Sequence, residues 1–499
     1  MRVSHPKVAL AGDQVVLSCD VAFDGEERSW WISAPKDLIR FMVPSLDPFL
    51  PLATLLASYL GQDLQLDQAI SEQQAKGLTA ASTMFTQWWG WSVPQIEISR
   101  TSAESDSGLR PSDLVQLSRS EPDSELRSSS KISGDQAGLL FTRGVDSTAS
   151  LVAARNGSAA RVTHLIGIDG LEPNHSPQVA AEVWADTQAV ADLVGLPLIR
   201  LRTNLREQAD MLLPWGSTHG AVLVGTGLSL SQMLGTLCIS QTVTDSDDLP
   251  HGSSPNLDPM WSTDLTQVVA VHSGLNRVEK AAVVSTEPKL AAAIKVCWET
   301  DTRGNCGRCY KCLHTLTCFE LVGASQLVEQ AFDRPFSSSA IFQLAGPSSG
   351  VALQQVMEAI DEDHAELKEA WEDFLSRIQN GQRRGLAGLS PAARFAASGL
   401  ELGTDDLVGW GANSVPIPVS LHECHSLSLS SANFERPIDW CVVDRNDSAS
   451  VELAAELTDH WPEGAVLLVD ADISGAPPSA VSRLLVASKV RCWLSAAPF

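Results

Sequence analysis

Four cysteines, Cys297, Cys306, Cys309 and Cys312, fall within sixteen residues in the spacing Cys-x8-Cys-Gly-x-Cys-x-x-Cys. Thiolates at this spacing suit tetrahedral zinc. A redox Cys-x-x-Cys pair would explain two of the four and leave the others idle, so a structural zinc site is expected. Arg303, Arg308 and Lys311 would offset part of its charge, and Cys318 reads as a small buried residue outside the pattern.

A second stretch able to do chemistry is Gly138-Leu-Leu-Phe-Thr-Arg-Gly-Val-Asp-Ser-Thr148. A short apolar run ends in a turn, and small polar residues then open a helix. That order predicts a strand, an anion-binding loop and a helix start whose unpaired N–H groups and dipole favour negative charge. Thr142, Gly144, Asp146, Ser147 and Thr148 would hold a phosphate, with Asp146, Ser147 and Thr148 also offering oxygens to magnesium. The bland alternative is an ordinary strand–helix turn with a polar cap. Neither the Gly-x-x-x-x-Gly-Lys-Ser/Thr loop nor the Gly-x-Gly-x-x-Gly fingerprint is present here.

Further candidates lie downstream. Asp169 ends an apolar strand-like run and would face the same ligand. The loop from His251 to Asp264 brings His251, Asp258 and Trp261 close together, either as part of a substrate pocket or as a structural Ω-loop. Arg277 and Lys280 open a helix and read either as a solvated face or as a clamp on phosphate or carboxylate.

The elements that must position these residues follow from the alternation of the chain. Strand-like runs at Val162–Ile168, Leu198–Arg202 and Leu237–Ile239 are separated by helical segments, one at Gln178–Val194. Strands alternating with helices of this length imply right-handed crossovers and a mostly parallel sheet covered on both faces. In such sheets ligands bind beyond the carboxyl ends of the strands, where the loop and Asp169 both fall.

The chain divides by composition. Residues 1–100 read as a separate α+β module, with strands around an Asp24-Gly25 turn, a helix at Leu50–Tyr59 and an aromatic stripe from Phe85 to Trp91 expected in a core. Residues 101–137 form a polar linker. The central domain spans 138–323, a helical segment 324–400, and a small, acid-rich α/β appendage 401–499, in which Asp444, Asp470 and Asp472 follow strands as caps or as a carboxylate site.

With 499 residues the chain should hold roughly two to four domains. The net charge of -25 argues against nonspecific nucleic-acid binding. Ten scattered cysteines, four at metal spacing, suggest a reducing compartment, and the first residues lead into no apolar signal segment, so a cytoplasmic protein is expected. The uncharged stretch Ala221–Ser240 suits a buried helix and strand better than a membrane span.

The run Thr142-Arg143-Gly144-Val145-Asp146-Ser147 resembles the loop of the PP-loop ATP pyrophosphatases, Ser-Gly-Gly-x-Asp-Ser, with Thr for Ser and Arg for the first Gly. Joined to the cysteine pattern, the stretch 138–323 resembles the 7-cyano-7-deazaguanine synthase family. The resemblance implies an adenine nucleotide alpha hydrolase-like fold: α/β, mostly parallel and doubly wound, with a zinc knuckle and here with flanking α+β modules. It implies a ligase using ATP, Mg2+ and Zn2+ that adenylates a small-molecule carboxylate, releases pyrophosphate, and passes the acyl group to ammonia or another amine. Arg143, Asp146 and Ser147 would be catalytic, with Arg143 either gripping phosphate or marking a degenerate site. The loop His251–Asp264 departs from the family's pocket, which points to a different substrate. The alternatives are a sulfur-inserting PP-loop enzyme, which would need free thiolates, and a non-catalytic nucleotide-binding protein.

Overall fold

The computed structural model describes residues 1–98, 136–157, 161–172, 175–242, 244, 250–297, 302–344 and 350–383, together with four strands beyond residue 400. The linker expected at 101–137 and Asp472 lie outside the described residues, apart from Gln136 and Ala137. Contacts divide the chain into two compact units, Met1–Asn305 with Val322–Asp333, and Cys306–Leu321 with Arg334–Phe499.

The first unit begins with strands β1 (Arg2–Ala11), β2 (Gln14–Phe23) and β3 (Glu26–Pro35), then α1 (Leu50–Leu60), β4 (Leu64–Leu66), α2 (Glu72–Trp89) and β5 (Ile96–Ile98). The expected turn joins β2 to β3, and Asp24 and Gly25 both take positive φ, 52° and 81°. Paired left-handed residues match the right-handed twist of a hairpin, which is why Asp-Gly is favoured there. An alternating series follows: β6 (Ala137–Leu140), α3 (Val145–Arg155), β7 (His164–Asp169), α4 (Pro177–Val194), β8 (Leu198–Thr203), α5 (Leu205–Asp210), α6 (Trp215–Leu228), β9 (Thr236–Ser240), β10 (Gln267–Val271) and α7 (Arg277–Ser285).

All ten strands form one sheet in the order β10-β9-β6-β7-β8-β3-β2-β1-β4-β5. The five strands from β6 onward are parallel. Counted from β6, their order is 3-2-1-4-5, and it reverses between β6 and β9. Such a reversal opens a crevice at the carboxyl ends of the two strands, because their crossover helices lie on opposite faces.

Alternate residues of the strands feed two cores. Leu139, Phe141, Leu165 and Cys238 pack with Leu151 and Val152 of α3 and Val190 and Ala191 of α4. Leu140, Ile166, Leu237 and Ile239 pack on the other face with Val222 and Val224 of α6 and with α1. The sheet is thus mostly parallel with helices on both faces, as the alternation implied.

The first hundred residues do not stand apart. β3 pairs antiparallel with β8, Ile32 opposite Thr203. The Thr203 hydroxyl donates to Trp31 O at 2.8 Å, and Asn204 bonds Trp31 N and Ser29 O. An unpaired β8 would expose a row of backbone donors and acceptors, and the N-terminal hairpin covers it. Phe85 is buried as expected, while Trp88, Trp89 and Trp91 are only partly so; Trp89 stacks on Phe85, and Trp88 meets Trp89 edge to face.

The second unit contains α8 (Tyr310–Leu321), α9 (Gly350–Ala359) and α10 (Ala365–Arg383). Tyr310 stacks on Phe374, and the Trp371 indole donates to Thr317. Strands β11 (Leu407–Trp410), β12 (Trp440–Asp444), β13 (Val466–Asp470) and β14 (Arg491–Ser495) make a parallel sheet in sequence order, with Asp444 and Asp470 in register. No described helix is long and apolar enough to cross a membrane.

Candidate functional site

The loop after β6 is built by its own short contacts. β6 is fully buried, and α3 starts at Gly144 with no side chain capping it. The early N–H groups of α3 are therefore the orphan donors that a helix start leaves. Thr142 Oγ1 accepts from Gly144 N, and Ser147 Oγ accepts from Thr142 N while donating to Gly144 O. Ser147 and Thr148 are buried, so these two hydroxyl residues shape the turn from within, and Thr142 is exposed at its tip.

Asp146 is where separate elements meet. Its Oδ2 lies 3.0 Å from Arg277 Nη2 and accepts from the Thr242 hydroxyl at 3.1 Å. Its Oδ1 lies 3.5 Å from Lys280 Nζ, which also donates to Gln241 O. Gln241 and Thr242 follow β9, so these contacts span the carboxyl ends of β6 and β9, where the strand order reverses. Arg277 and Lys280 share one face of α7 by their i, i+3 spacing. A capping box fixes the start of that helix, with Glu279 N on Asn276 Oδ1 and Asn276 N on Glu279 Oε2.

Both cations are buried, Lys280 completely. Burial pulls the Lys280 ammonium below its usual pKa, against the opposing attraction of Asp146. His272, just beyond β10, completes the cluster. Val271 pairs with Ser240, so His272 and Gln241 lie one step past the paired ends of their strands. His272 holds φ +59°, and its Nδ1 is buried with no hydrogen-bond partner among the described residues. Burial, and then Lys280, lower its pKa while Asp146 raises it.

Other expected site residues go elsewhere. Arg143 occupies the left-handed region at φ +59°, which glycine adopts without strain. Its buried side chain reaches Asp186 at 3.8 Å and Ala293 O at 3.4 Å, and its carbonyl accepts from Lys295 N. Burial lowers its pKa to about 10. Asp169 is engaged by Arg200 at 2.6 Å, Arg202 at 3.2 Å and Gly170 N.

His251 is bonded through Nδ1 to Ser253 O. Asp258 has no exposed surface; its Oδ2 accepts from Ser253 Oγ and Gln241 Nε2, and desolvation raises its pKa to about 7. Trp261 packs in the core against Phe85. Asp258 and Trp261 thus brace the loop from inside. Of the residues singled out from sequence, Asp146, Arg277 and Lys280 converge. Thr242, Gln241 and His272 were missed, although each directly follows an apolar strand run.

Cys297, Cys306, Cys309 and Cys312 are all buried, and their sulfurs lie within 4.8 Å of one another. Cys306 Sγ and Cys312 Sγ are 3.8 Å apart. A tetrahedral zinc with Zn–S near 2.3 Å needs sulfurs about 3.8 Å apart, so the group can hold a metal ion such as zinc. Gly307, at φ +66°, makes the turn that lets Cys309 N bond Cys306 Sγ. Asn305, fully buried, holds Val296 N and Cys297 N with its side-chain oxygen. Arg303 is paired with Asp186 at 2.6 Å. Cys318 is buried, as expected.

No family model matches this chain, and neither a curated protein nor a solved structure matches it.

Proposed function

We propose that the protein is an ATP-dependent ligase that forms AMP and pyrophosphate, adenylating a small-molecule carboxylate and passing the acyl group to ammonia or another amine. The observation that carries this reading is the meeting of Asp146 with Arg277 and Lys280 at the reversal of strand order. Two helices begin there, α3 and α7, so two positive dipole ends and two buried cations face a single carboxylate. A site with that excess of positive charge favours a polyanion.

Arg277 and Lys280 neutralise the charge that develops on departing pyrophosphate, and the first-turn N–H groups of α3 orient it. Thr142, exposed at the loop tip, adds a hydroxyl. A carboxylate such as Asp146 suits magnesium, which would supply further charge at the phosphates. Holding the carboxylate beside the α-phosphate provides much of the rate through positioning. The four cysteines form a closed structural zinc site in this reading, and thiolates tied to zinc are poor sulfur carriers, which weighs against sulfur insertion.

A non-catalytic nucleotide-binding protein is the second reading. It is favoured by Arg143, whose guanidinium contacts Asp186 and Ala293. The deciding assay supplies MgATP, ammonium and a panel of carboxylic acids. AMP and pyrophosphate in equal amounts, dependent on one acid, support the ligase. ADP and phosphate without AMP overturn it, and nucleotide binding without turnover supports the second reading.

A further inference from the structure

Strand β1 leaves half of its outer edge open. Only Arg2 and Val3 pair with β4, so Lys7 to Ala11 have β2 on one side and, among the described residues, no strand on the other. Ala11 and Gln14 flank the two-residue turn Gly12-Asp13, which makes them a hydrogen-bonded pair, and by alternation Ala9 and Lys7 also bond β2. The backbone groups of Val8 and Leu10 therefore point outward. Native sheets usually blunt such an edge with charge, proline or a covering element. Here Lys7 is the one charge between Lys7 and Ala11, and Leu10 stands 60% exposed.

A cleft lies beside this edge. Val8 and Leu10 sit opposite Leu17 and Val15, so they share the sheet face that carries those buried residues. Leu17 also lines the cleft, with Phe41, Val43, Leu228 and Leu265. Among the described residues, Asp47 is the one charged side chain in that lining. The short 3-10 helix Lys36–Phe41 joins edge to cleft, since Lys36 N bonds Asp13 O at the hairpin turn and Phe41 reaches the lining. Ile39, Val43 and Leu265 are exposed and extend the apolar surface from Leu10. Leu228 ends α6 and Leu265 precedes β10, so the cleft lies at the amino ends of the parallel strands, away from Asp146 at their carboxyl ends. Exposed apolar surface gathered in one place, with a polar rim, is the mark of a protein-binding site.

We infer that this corner docks an extended, cationic segment of a partner protein. The segment's backbone adds to β1 as an outer strand, a large apolar side chain enters the cleft, and a flanking lysine or arginine faces Asp47. The open edge selects an extended backbone, because a strand presents donors and acceptors at the spacing of Val8 and Leu10. The cleft selects an apolar side chain. Charge sets the sign of its neighbours: Asp47 is in the lining, exposed Asp264 adjoins Leu265, and the whole chain carries a net charge of -25. That charge draws in a basic partner over long range and opposes a second copy of this chain.

The test pans the full chain against a displayed library of random dodecapeptides, then titrates the enriched peptides by fluorescence anisotropy. Enriched sequences should place lysine or arginine next to a large apolar residue. Val8→Pro deletes an outward N–H while sparing the ladder to β2, and should weaken binding about tenfold. Asp47→Asn, nearly isosteric, should weaken it about threefold at low salt and less at high salt. Circular dichroism confirms the fold of both variants. In the wild type, hydrogen exchange at the Val8 and Leu10 amides should slow only when peptide is bound. No enrichment, enrichment of acidic peptides, or peptides that bind either variant as tightly as wild type overturn the inference. A peptide-free dimer that Val8→Pro disperses also overturns it, because a second copy then occupies the edge.

Discussion

The carboxylate of Asp146, in the first turn of α3, meets the guanidinium of Arg277, in the first turn of α7, at 3.0 Å. Two helix starts are thereby pinned together over the carboxyl ends of β6 and β9. Lys280, with no exposed surface, shares the same carboxylate.

This relationship gives the first prediction. Asp146 is the counter-ion of two buried cations. Asp146→Asn should therefore lower unfolding free energy by about 3 kcal/mol, since removing one partner strands buried charge. Adding Lys280→Met should recover part of the loss, because one of the stranded charges is gone. Urea unfolding of the two single variants and the double variant measures the coupling. Additive losses would show that the carboxylate and the ammonium do not interact.

The second prediction concerns pH. Desolvation lifts the Asp258 carboxyl to about 7 in the folded chain. Between its ordinary value near 3.9 and about 7, the folded state holds a proton that the unfolded state has released. Stability contributed by Asp258 is therefore complete at acid pH, falls as pH rises through that window, and levels off above it. The total change is on the order of 4 kcal/mol. Asp258→Asn should flatten this part of the profile and gain stability relative to wild type at pH 8. Denaturant midpoints at pH 5 and pH 8 read the effect, and parallel profiles for the two proteins would refute it.

Why some of this was legible and some was not comes down to range. β6 to β9 and their helices are local patterns of apolar residues, and the spacing of Arg277 and Lys280 on one helix face is local too. That both reach Asp146 depends on how α7 packs beside α3, far apart in sequence. The pairing of Ile32 with Thr203, which joins the N-terminal strands to the main sheet, is likewise invisible to local patterns. Asp258 and Trp261 misled for the opposite reason: a polar loop rich in Gly and Pro looks exposed, yet here its acid is buried, with Oδ2 held by Ser253 and Gln241. His272 carries no motif, and its left-handed backbone appears only in three dimensions.

The third prediction is of metal content. The chain should purify with about one zinc, measured by plasma mass spectrometry, and a strong chelator should lower its melting temperature. Cys306→Ser should lose the metal and reduce folding yield, since zinc bound to four thiolates contributes directly to folding, on the order of 10 kcal/mol in small zinc peptides. A folded, metal-free preparation with unchanged melting would remove zinc from the account.

The last prediction separates backbone from side chain at Arg143. Its left-handed conformation costs any residue with a Cβ, whereas glycine takes it without strain. Its guanidinium meanwhile pairs with Asp186 and bonds Ala293 O. Arg143→Ala and Arg143→Gly lose the same side-chain contacts and differ in the backbone term. Arg143→Gly should therefore be the more stable of the two by about 1 kcal/mol, relief of left-handed strain exceeding glycine's extra unfolded-state entropy. Because the guanidinium contacts Asp186 and Ala293 O and points its hydrogen bonds away from the loop hydroxyls, Arg143→Gly should also hold pyrophosphate within about threefold of wild type, well short of the hundredfold expected for losing an oxyanion contact. Thermal unfolding and pyrophosphate titration of both variants decide it. Equal melting of the two variants would deny the strain, and a hundredfold loss of affinity in Arg143→Gly would return the arginine to the phosphate grip.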